Sequence, residues 1–487
     1  MIRFKCDSER FQDFFNRALQ GLANNCRQIR PDTNTVLIEG GEYSGVWLEC
    51  APLEGLIYAA ISPEIAKNNH TIFYKYQRMD GQLPYTVKAN RIGFSQIQQV
   101  VPLAETAYEL GVITQDEEFL HLTYQAWRKW DQWISCHRDK LKRNVCEAFC
   151  EYDTGHDKSF RFKGLPKFCP DDEAAICPED LRLPYVAPDL TATMFGGRIA
   201  MAKIATALGY EHESNEWLER AEIMRQSLFK YCFDSESEFF YDLDNCGNFV
   251  KNLSDAGIRV LGEHAVSQEL FDRIFNRWIS NPDAFWTPYP IPSVAACDPG
   301  FEYPPPENCW GGASQALLAL RSWRWLEYYG KFNALNHLMS CWLNGMQQNS
   351  DFMQQMDPFT GKFSTSSNYS PAMCCGIDFT SRMAGVCETP EGLNWGGAGI
   401  PEVSESFFEL ECLRGGSAGI RIKNKKATLI LNGVKFVEIK GRFRAFCDSD
   451  GKNLRITALE NGNFEVAFPG RLNRFFQLKA DQSQNLN

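Results

Sequence analysis

Apolar side chains recur at every third or fourth position over most of the chain up to residue 385, which is the pattern of helices that bury one face. The segments with this pattern, each bounded by capping or turn residues, are 8–25, 52–76, 95–112, 116–140, 189–208, 212–231, 250–262, 267–278, 313–330, 331–347 and 367–384. Ser62-Pro63 is expected to break the second segment into two, so the pattern predicts about twelve helices.

Short links join neighbouring helices into pairs, whereas long irregular stretches separate some of the pairs. The longest of these stretches, 143–188 and 283–312, are rich in proline and are expected to meet at one end of the assembly. This alternation predicts helical hairpins closed into a ring, an (α/α)6 toroid. An open α-solenoid is the alternative, but it requires self-similarity at a fixed period, and none is visible.

The pattern changes after about residue 410, where apolar and polar residues alternate. The alternation is clearest in Ala427–Ile439, and Asn432-Gly433 and Asp450-Gly451 are typical hairpin turns. We therefore predict a small antiparallel, sandwich-like β module with a structural role; carbohydrate binding is the alternative role. The predicted divisions are a helical domain over 1–409, the β module over 410–480 and a frayed tail over 481–487.

Composition and charge exclude several classes of protein. The formal net charge of −11 argues against nucleic-acid and anionic-membrane partners, and no apolar stretch is long enough to span a bilayer. The N-terminal residues lack the apolar region of a secretory signal, so the 18 scattered cysteines are interpreted as reduced thiols and a cytoplasmic location is expected. Neither these cysteines nor the 7 histidines have the spacing of a zinc site, so no metal or other cofactor is predicted.

Candidate chemistry centres on Asp153–Phe162, between two predicted helices. Asp153 and Asp157 are four positions apart with Gly155 between them, and Arg161 follows four positions later. Because Gly155 interrupts any regular element, we expect a loop that holds acid–base groups close together. A solvated, salt-bridged surface loop is the alternative. The aromatic content of 13% adds flat apolar faces of the kind that bind sugars, although a large aromatic core explains most of it.

Five segments resemble, in the same order, motifs of the (α/α)6-barrel glycosidases. They are Gln77–Pro84, Asp153–Phe162, Pro188–Ala192, the pair Ile291–Ser293 with Asn308–Gly312, and Gln354–Gly361. The second resembles the loop Glu-Ser-Gly-x-Asp-Asn-Ser-Pro-Arg-Phe, and the last resembles Glu-x-Tyr-Asp-Pro-x-Thr-Gly. The greatest similarity is to glycoside hydrolase family 63 and the mannosylglycerate-hydrolase-like group, with trehalases more distant.

The resemblance implies that Asp157 is the general acid of an inverting, exo-acting glycosidase for a short oligosaccharide or glycoside. Gln354 occupies the position of the general base, and an amide cannot take a proton from water. The chain also departs from the family pattern where Gly311 replaces an arginine and where Lys158 and Phe160 replace asparagine and proline. The sugar subsite around the acid is expected to include Trp47, Glu49, Gln77, Asp153, Arg161, Asp189, Trp310 and Trp395.

The glutamine at position 354 leaves four explanations open. It is an engineered replacement that traps a substrate, or another carboxylate serves as the base, or the nucleophile is phosphate and needs no base, or the protein binds sugar without cleaving it. The carboxylates considered for the second explanation are Asp351, Asp357, Glu402 and Glu405. For Asp357, a turn role before Pro358 is the simpler interpretation.

Two further classes of function stay in consideration beside the glycosidase. The first is a pseudo-enzyme that binds carbohydrate, which activity gained by Gln354→Glu would argue against. The second is an isomerase or epimerase on the same toroid. Such an enzyme normally places histidines in its cavity, whereas His156 is the single histidine in a matched loop.

Overall fold

The computed structural model describes residues 1–303, 307, 309–349 and 351–486, and twelve α-helices lie within these ranges. They are α1 (Glu9–Asn24), α2 (Ala51–Tyr58), α3 (Pro63–Lys75), α4 (Leu103–Thr114), α5 (Glu117–His137), α6 (Pro188–Ala207), α7 (Glu211–Cys232), α8 (Asp255–Gly262), α9 (Gln268–Ile274), α10 (Ala316–Leu326), α11 (Phe332–Asn349) and α12 (Ser370–Ala384). The predicted helix over 95–112 was too long at its start. Helix α4 begins only after Pro102, which lacks the N–H that a helix interior requires.

The even-numbered helices form a closed inner ring. Each contacts the next even-numbered helix, and α12 contacts α2, while α1, α3, α5, α7 and α11 pack against this ring. The sequences explain the division, because α6 is rich in small and apolar residues and is buried on nearly every side, whereas α7 carries five glutamates and two arginines and buries one stripe. The predicted helical toroid is confirmed, and its closure excludes the open solenoid.

Two antiparallel sheets form a β layer beside the ring. The larger has the strand order Ile2–Cys6, Glu405–Glu411, Ser417–Lys423, Lys426–Leu431, Val434–Lys440, Gly462–Ala467 and Arg474–Leu478. The smaller has the order Val386–Glu388, Leu393–Gly397, Phe443–Cys447, Arg455–Ala458 and Ser483–Asn485. One continuous cluster of buried apolar side chains runs through the ring and the β layer.

Short strands also connect the loops between helices. They pair as Cys26–Gln28 with Thr35–Leu37, Val46–Trp47 with Thr86–Val87 and Ile92–Gly93, Glu147–Ala148 with Tyr185–Val186, Asp242–Leu243 and Phe249–Val250, Phe233–Asp234 with Phe239–Phe240, and Ser314–Gln315 with Gln355–Met356 and Phe363–Ser364. Across the described ranges, no helix is both long and apolar enough to cross a bilayer.

The predicted limits of the β module were wrong. The limit between 409 and 410 falls inside the strand Glu405–Glu411, which pairs with the N-terminal strand Ile2–Cys6. The adjacent residues Phe407 and Phe408 interrupt the alternation of apolar and polar positions in this strand, so the pattern does not show where the strand begins. The predicted fraying over 481–487 is also wrong for Ser483–Asn485, which forms backbone hydrogen bonds with the strand Arg455–Ala458. Asn487 lies outside the described residues.

Candidate active site

Two turns place Asp157 and Gln354 beside the segment that leads into α10. Asp157 follows a 3-10 turn, and its carbonyl oxygen accepts a hydrogen bond from the N–H of Trp310 over 3.0 Å. The carbonyl oxygen of Gln354 accepts one from the N–H of Ala316, the first residue of α10, over 2.9 Å. Both turns are therefore attached to the same short stretch of backbone. Asn308, which begins the matched motif in this stretch, lies outside the described residues.

Asp157 lies close to Glu49, which immediately precedes α2. Gly155 makes this approach feasible, because it has a φ of 68° and a Cβ at its position would lie 2.6 Å from the Glu49 carboxylate. Burial raises the pKa of Asp157 to about 7, and the charge of Glu49 adds to the effect. A carboxyl group with this pKa holds its proton close to neutral pH, as a general acid must.

Gln354 is oriented by Tyr43. The Tyr43 hydroxyl donates to Oε1 of Gln354 over 3.2 Å, and the Thr365 hydroxyl approaches the same oxygen at 3.5 Å. Burial raises the pKa of Tyr43, and the negative charge of Asp157 contributes, so the amide of Gln354 and Asp157 adjoin the same tyrosine. Trp47 packs edge-on against Tyr43 at 5.5 Å between ring centroids. Within the described ranges, Nε2 of Gln354 has no hydrogen-bond acceptor.

Glu39 is a further buried carboxyl group near Tyr43 and Glu49, and the motifs did not reveal it. We call the group formed by Glu39, Tyr43, Glu49, Asp157 and Gln354 the candidate pocket. It accepts a hydrogen bond from the Tyr369 hydroxyl over 2.8 Å, and burial raises its pKa to about 8, with the charge of Glu49 adding to the effect. A sequence signal existed, because an acid that ends the apolar run Val36–Ile38 and precedes two glycines is unusual for a surface loop.

Trp310 connects the pocket to two buried arginines. Its ring centroid lies 5.2 Å from that of His156, 5.3 Å from the Arg259 guanidinium carbon and 5.7 Å from that of Arg321. Burial raises the pKa of Glu49 to about 7, while these two arginines oppose the rise. The motifs missed both arginines, although an arginine on the largely apolar helices α8 and α10 is a signal of a buried charge.

Arg161 and Asp189 belong to a buried ion network and do not line the pocket as predicted. Arg161 donates to both carboxylate oxygens of Asp189 and of Asp242 at 2.7–2.8 Å, and to Nδ1 of His156 at 2.6 Å. These contacts use all five N–H groups of the guanidinium, so none is left for a sugar. The pairing of buried charges therefore determines where the Arg161 side chain lies.

His156 is neutral within this network. Burial lowers its pKa to about 4, and the positive charge of Arg259 adds to the effect. Because Nδ1 accepts from Arg161, the proton resides on Nε2, which lies 2.5 Å from Oδ1 of Asp255. The single histidine of the matched loop therefore has a charged side chain beside each ring nitrogen.

Asp153 and Gln77 also have structural roles instead of the predicted sugar contacts. The carboxylate of Asp153 pairs with Arg138 and accepts hydrogen bonds from the backbone N–H groups of Phe149, Cys150 and Ile97. The amide of Gln77 donates to the carbonyl oxygens of Gly81 and Ala126, both at 2.8 Å. These contacts hold the acid-bearing loop and the 77–84 turn in place.

Trp395 does not reach the pocket, so its predicted role was wrong. It lies in the β layer, where its indole N–H donates to the carbonyl oxygen of Gly419 over 3.2 Å. Among the alternative bases, Asp357 accepts the N–H groups of Phe359 and Thr360 and forms a turn, and Glu405 pairs with Lys423.

The two other carboxylates considered as a base are Asp351 and Glu402. The Asp351 carboxylate accepts the N–H of the next residue, and Glu402 is exposed on the segment that leads to the β layer. A cluster able to hold a cation is formed by Cys150, Asp153 and Cys169, whose ligand atoms lie within 4.8 Å of one another. The Asp153 carboxylate in this cluster is already paired with the positively charged Arg138, which disfavours binding of a cation. The absence of a metal stays a prediction.

A family model described as the mannosylglycerate hydrolase MGH1-like glycoside hydrolase domain matches residues 49–370. The GH63 mannosylglycerate hydrolase of Thermus thermophilus, solved with Tris, is similar with a TM-score of 0.62 at 18% identity, over 76% of this chain and 100% of that chain. Neutral trehalase Nth1 of Saccharomyces cerevisiae has a TM-score of 0.54 at 15% identity, over 71% and 73% of the two chains.

No curated protein sequence matches the chain. At these identities the solved structures establish the toroidal fold alone, whereas the family match covers most of the chain and includes the segments that carry Glu49, Asp157 and Gln354. The chain therefore belongs to the mannosylglycerate hydrolase MGH1-like glycoside hydrolases and is a glycosidase by family.

Proposed function

We propose that the chain is an inverting, exo-acting glycosidase for a short oligosaccharide or glycoside, with Asp157 as the general acid and position 354, a glutamine here, in the place of the general base. The observation that carries the proposal is the half-buried carboxyl group of Asp157, whose pKa burial and Glu49 raise to about 7. Such a group can give a proton to the leaving oxygen at neutral pH.

Inversion requires a water on the face of the sugar opposite the acid, held by a second group some distance away. Gln354 belongs to a different loop from Asp157, and both adjoin Tyr43. Its amide can hold a water but cannot deprotonate it. We therefore expect the chain to bind its sugar and hydrolyse it slowly.

The proposed sugar subsite keeps Trp47, Glu49 and Trp310 and adds Glu39 and Tyr43. These residues combine flat aromatic faces with carboxyl groups, as a pyranose with apolar faces and hydroxyl edges requires. The similar enzyme from Thermus thermophilus was solved with glucose and with Tris and D-glycerate. Glucosides, mannosides and their glyceric acid conjugates are therefore the first substrates to screen. The β layer is assigned a structural role, and a cytoplasmic location is proposed.

Phosphorolysis is the second candidate reaction, and one observation favours it. The oxygen of Gln354 accepts from Tyr43, so its Nε2 is left as a donor without an acceptor among the described residues. A donor at this position suits an anionic nucleophile, which needs no base. Release of a sugar phosphate from the unmodified chain in the presence of inorganic phosphate would favour this reaction over hydrolysis.

The decisive experiment compares the unmodified chain with Gln354→Glu across the substrate screen. We expect the substitution to raise hydrolysis by at least ~10²-fold, the usual contribution of a general base. The matched control is Gln355→Glu, because Gln355 is the adjacent buried glutamine but bonds Cys309 and Gln315. Unchanged hydrolysis in Gln354→Glu, with the fold retained, would contradict the assignment of position 354.

A further inference from the structure

Three aromatic side chains contact one another at the surface, with Phe160 beside them, in a group that no matched motif predicted. Phe301 and Tyr303 stack at 6.3 Å between ring centroids, and Phe359 meets Phe301 and Tyr303 edge-on at 6.1 and 5.0 Å. Phe160 covers Gly300, where a Cβ would lie 2.8 Å from its ring. Three of the four are exposed: Phe160 by 45%, Tyr303 by 48% and Phe359 by 38%. We call these four residues the aromatic platform.

The aromatic platform joins the acid-bearing loop to the turn that carries Gln354. Phe160 follows Asp157 by three positions, and the N–H of Trp310 bonds the carbonyl oxygen of Asp157. Phe359 follows Gln354 by five positions, in the turn that Asp357 closes. Two residues of the platform therefore belong to the same two segments as Asp157 and Gln354.

Backbone contacts fix the remaining residues of the platform against the same stretch. The N–H of Glu302, which separates Phe301 from Tyr303, donates to the carbonyl oxygen of Gly311 over 2.8 Å, and the Phe301 ring lies 2.8 Å from where a Cβ of Gly312 would stand. Gly311 and Gly312 directly follow Trp310, whose indole adjoins the pocket. The platform is thus continuous with the wall of the candidate active site.

Core packing does not explain this cluster. Large aromatic side chains are usually buried, and a contiguous exposed group of them on a soluble chain marks a surface that contacts a ligand or partner. The neighbouring side chains of Lys158 and Glu307 form an ion pair at the surface. Neither of them therefore contributes an unpaired charge to the platform. The Lys163 ammonium lies 5.4 Å from the centroid of the Phe160 ring, so the part of the platform that suits a flat and uncharged group better than an ion is formed by Phe301, Tyr303 and Phe359.

We propose that the aromatic platform binds the leaving group of the substrate, through a flat uncharged face such as a second pyranose ring or an aryl aglycone. The proposal rests on the proposed function, because a general acid protonates the leaving oxygen and so places the leaving group on the side of Asp157. Phe160 stands where the resembling loop has proline, so the resemblance does not supply this aromatic contact.

The test is a comparison of binding affinities, which needs no turnover. Isothermal titration calorimetry on the unmodified chain measures Kd for glucose and mannose, for the disaccharides maltose, kojibiose and trehalose, and for the 4-nitrophenyl glucosides and mannosides. We expect at least one glycoside to bind more tightly than its free sugar. Phe359→Ala and Tyr303→Ala should each weaken that glycoside by roughly tenfold, the effect of losing one stacked contact, and leave the free sugar unchanged.

The matched control is Phe475→Ala, which removes another exposed aromatic side chain, 71% exposed in the β layer, and should alter neither affinity. A gain confined to the disaccharides identifies a sugar as the leaving group, and a gain confined to the 4-nitrophenyl glycosides identifies an apolar aglycone. Either gain, when lost in Phe359→Ala, supports the proposal.

Three results would overturn the proposal. The first is that no glycoside binds more tightly than its free sugar, and the second is that the platform variants weaken the free sugar equally. The third, by sedimentation velocity, is self-association that Phe359→Ala abolishes while glycoside affinity stays unchanged, which would make the platform an interface between copies. The variant Asp157→Asn separates the two proposals. Its turnover tests the role of Asp157 as the acid, whereas its affinities for the glycosides and free sugars still test the platform.

Discussion

The hydroxyl of Tyr43 donates a hydrogen bond to Oε1 of Gln354 over 3.2 Å, although 311 positions separate the two residues in the chain. Burial raises the pKa of Tyr43, so the group stays a donor at neutral pH. The amide nitrogen of Gln354 is consequently left as a donor without an acceptor among the described residues. The same hydroxyl would donate to a carboxylate if position 354 were glutamate, so the surroundings already suit a general base.

In the Gln354→Glu background, we expect Tyr43→Phe to impair hydrolysis through the pKa of the new carboxylate. A lost hydrogen bond to a carboxylate raises its pKa, so the acidic limb of the kcat/KM profile should move up by ~1 pH unit, and kcat/KM should be about tenfold lower at pH values well below the pKa of the carboxylate. Tyr76→Phe, which removes a hydroxyl bonded to Asp32 at the surface, is the control. An unmoved limb would show that Tyr43 does not act on position 354.

The pH dependence of hydrolysis should identify Asp157 as the acid. The general acid works in its protonated form, so kcat/KM of Gln354→Glu should fall as the pH rises through about 7. Asp157→Asn should lower turnover by at least ~10²-fold and abolish this limb. Glu49→Gln should shift the limb to lower pH, because the charge of Glu49 raises the pKa of Asp157. Near-normal turnover in Asp157→Asn would rule the role out.

Arg161 should matter to stability far more than an exposed arginine. Arg161→Ala leaves the buried carboxylates of Asp189 and Asp242 without their partner, and we expect a loss of about 3–5 kcal/mol in the free energy of unfolding. Arg273→Ala, which removes exposed pairs with Glu238 and Glu269, should cost no more than about 1 kcal/mol. Urea unfolding measures both, and equal losses would contradict the structural role of the network.

Glu39 should make the protein less stable as the pH rises. Its pKa is near 8 in the folded chain and near 4.5 in the unfolded chain, so between these values the folded state holds a proton that the unfolded state has lost. The free energy of unfolding should therefore fall by up to about 1.4 kcal/mol per pH unit in this window. Glu39→Gln should flatten the dependence between pH 5.5 and 7.5, and the exposed Glu402→Gln should leave it unchanged.

The positions of the helices and of the acid-bearing loop were predictable because they depend on local patterns. Periodicity and capping residues located eleven helical segments and the break at Ser62-Pro63, and these became α1–α12 in the order expected. Most of the short strands were missed, since two to five residues carry little periodicity. The start of the predicted 95–112 helix was misplaced, because Pro102 ends the extended segment before α4. Ile2–Cys6 joins the β layer across some 400 residues of sequence, which no local pattern records.

The sequence by itself determined the helical toroid, the acid-bearing loop with Asp157 and the glutamine at position 354. Only the tertiary structure decided which polar side chains are free to meet a ligand. Arg161 and Asp153 resembled site residues in the sequence, but each is fully occupied by partners far along the chain or on another element, such as Asp242 for Arg161. Glu39, Tyr43 and Arg321 carried no motif, yet they lie in or beside the pocket. Whether a buried charged side chain is already paired or can still bind a ligand depends on the residues that pack against it. Those residues are distant in sequence, so no local pattern identifies them.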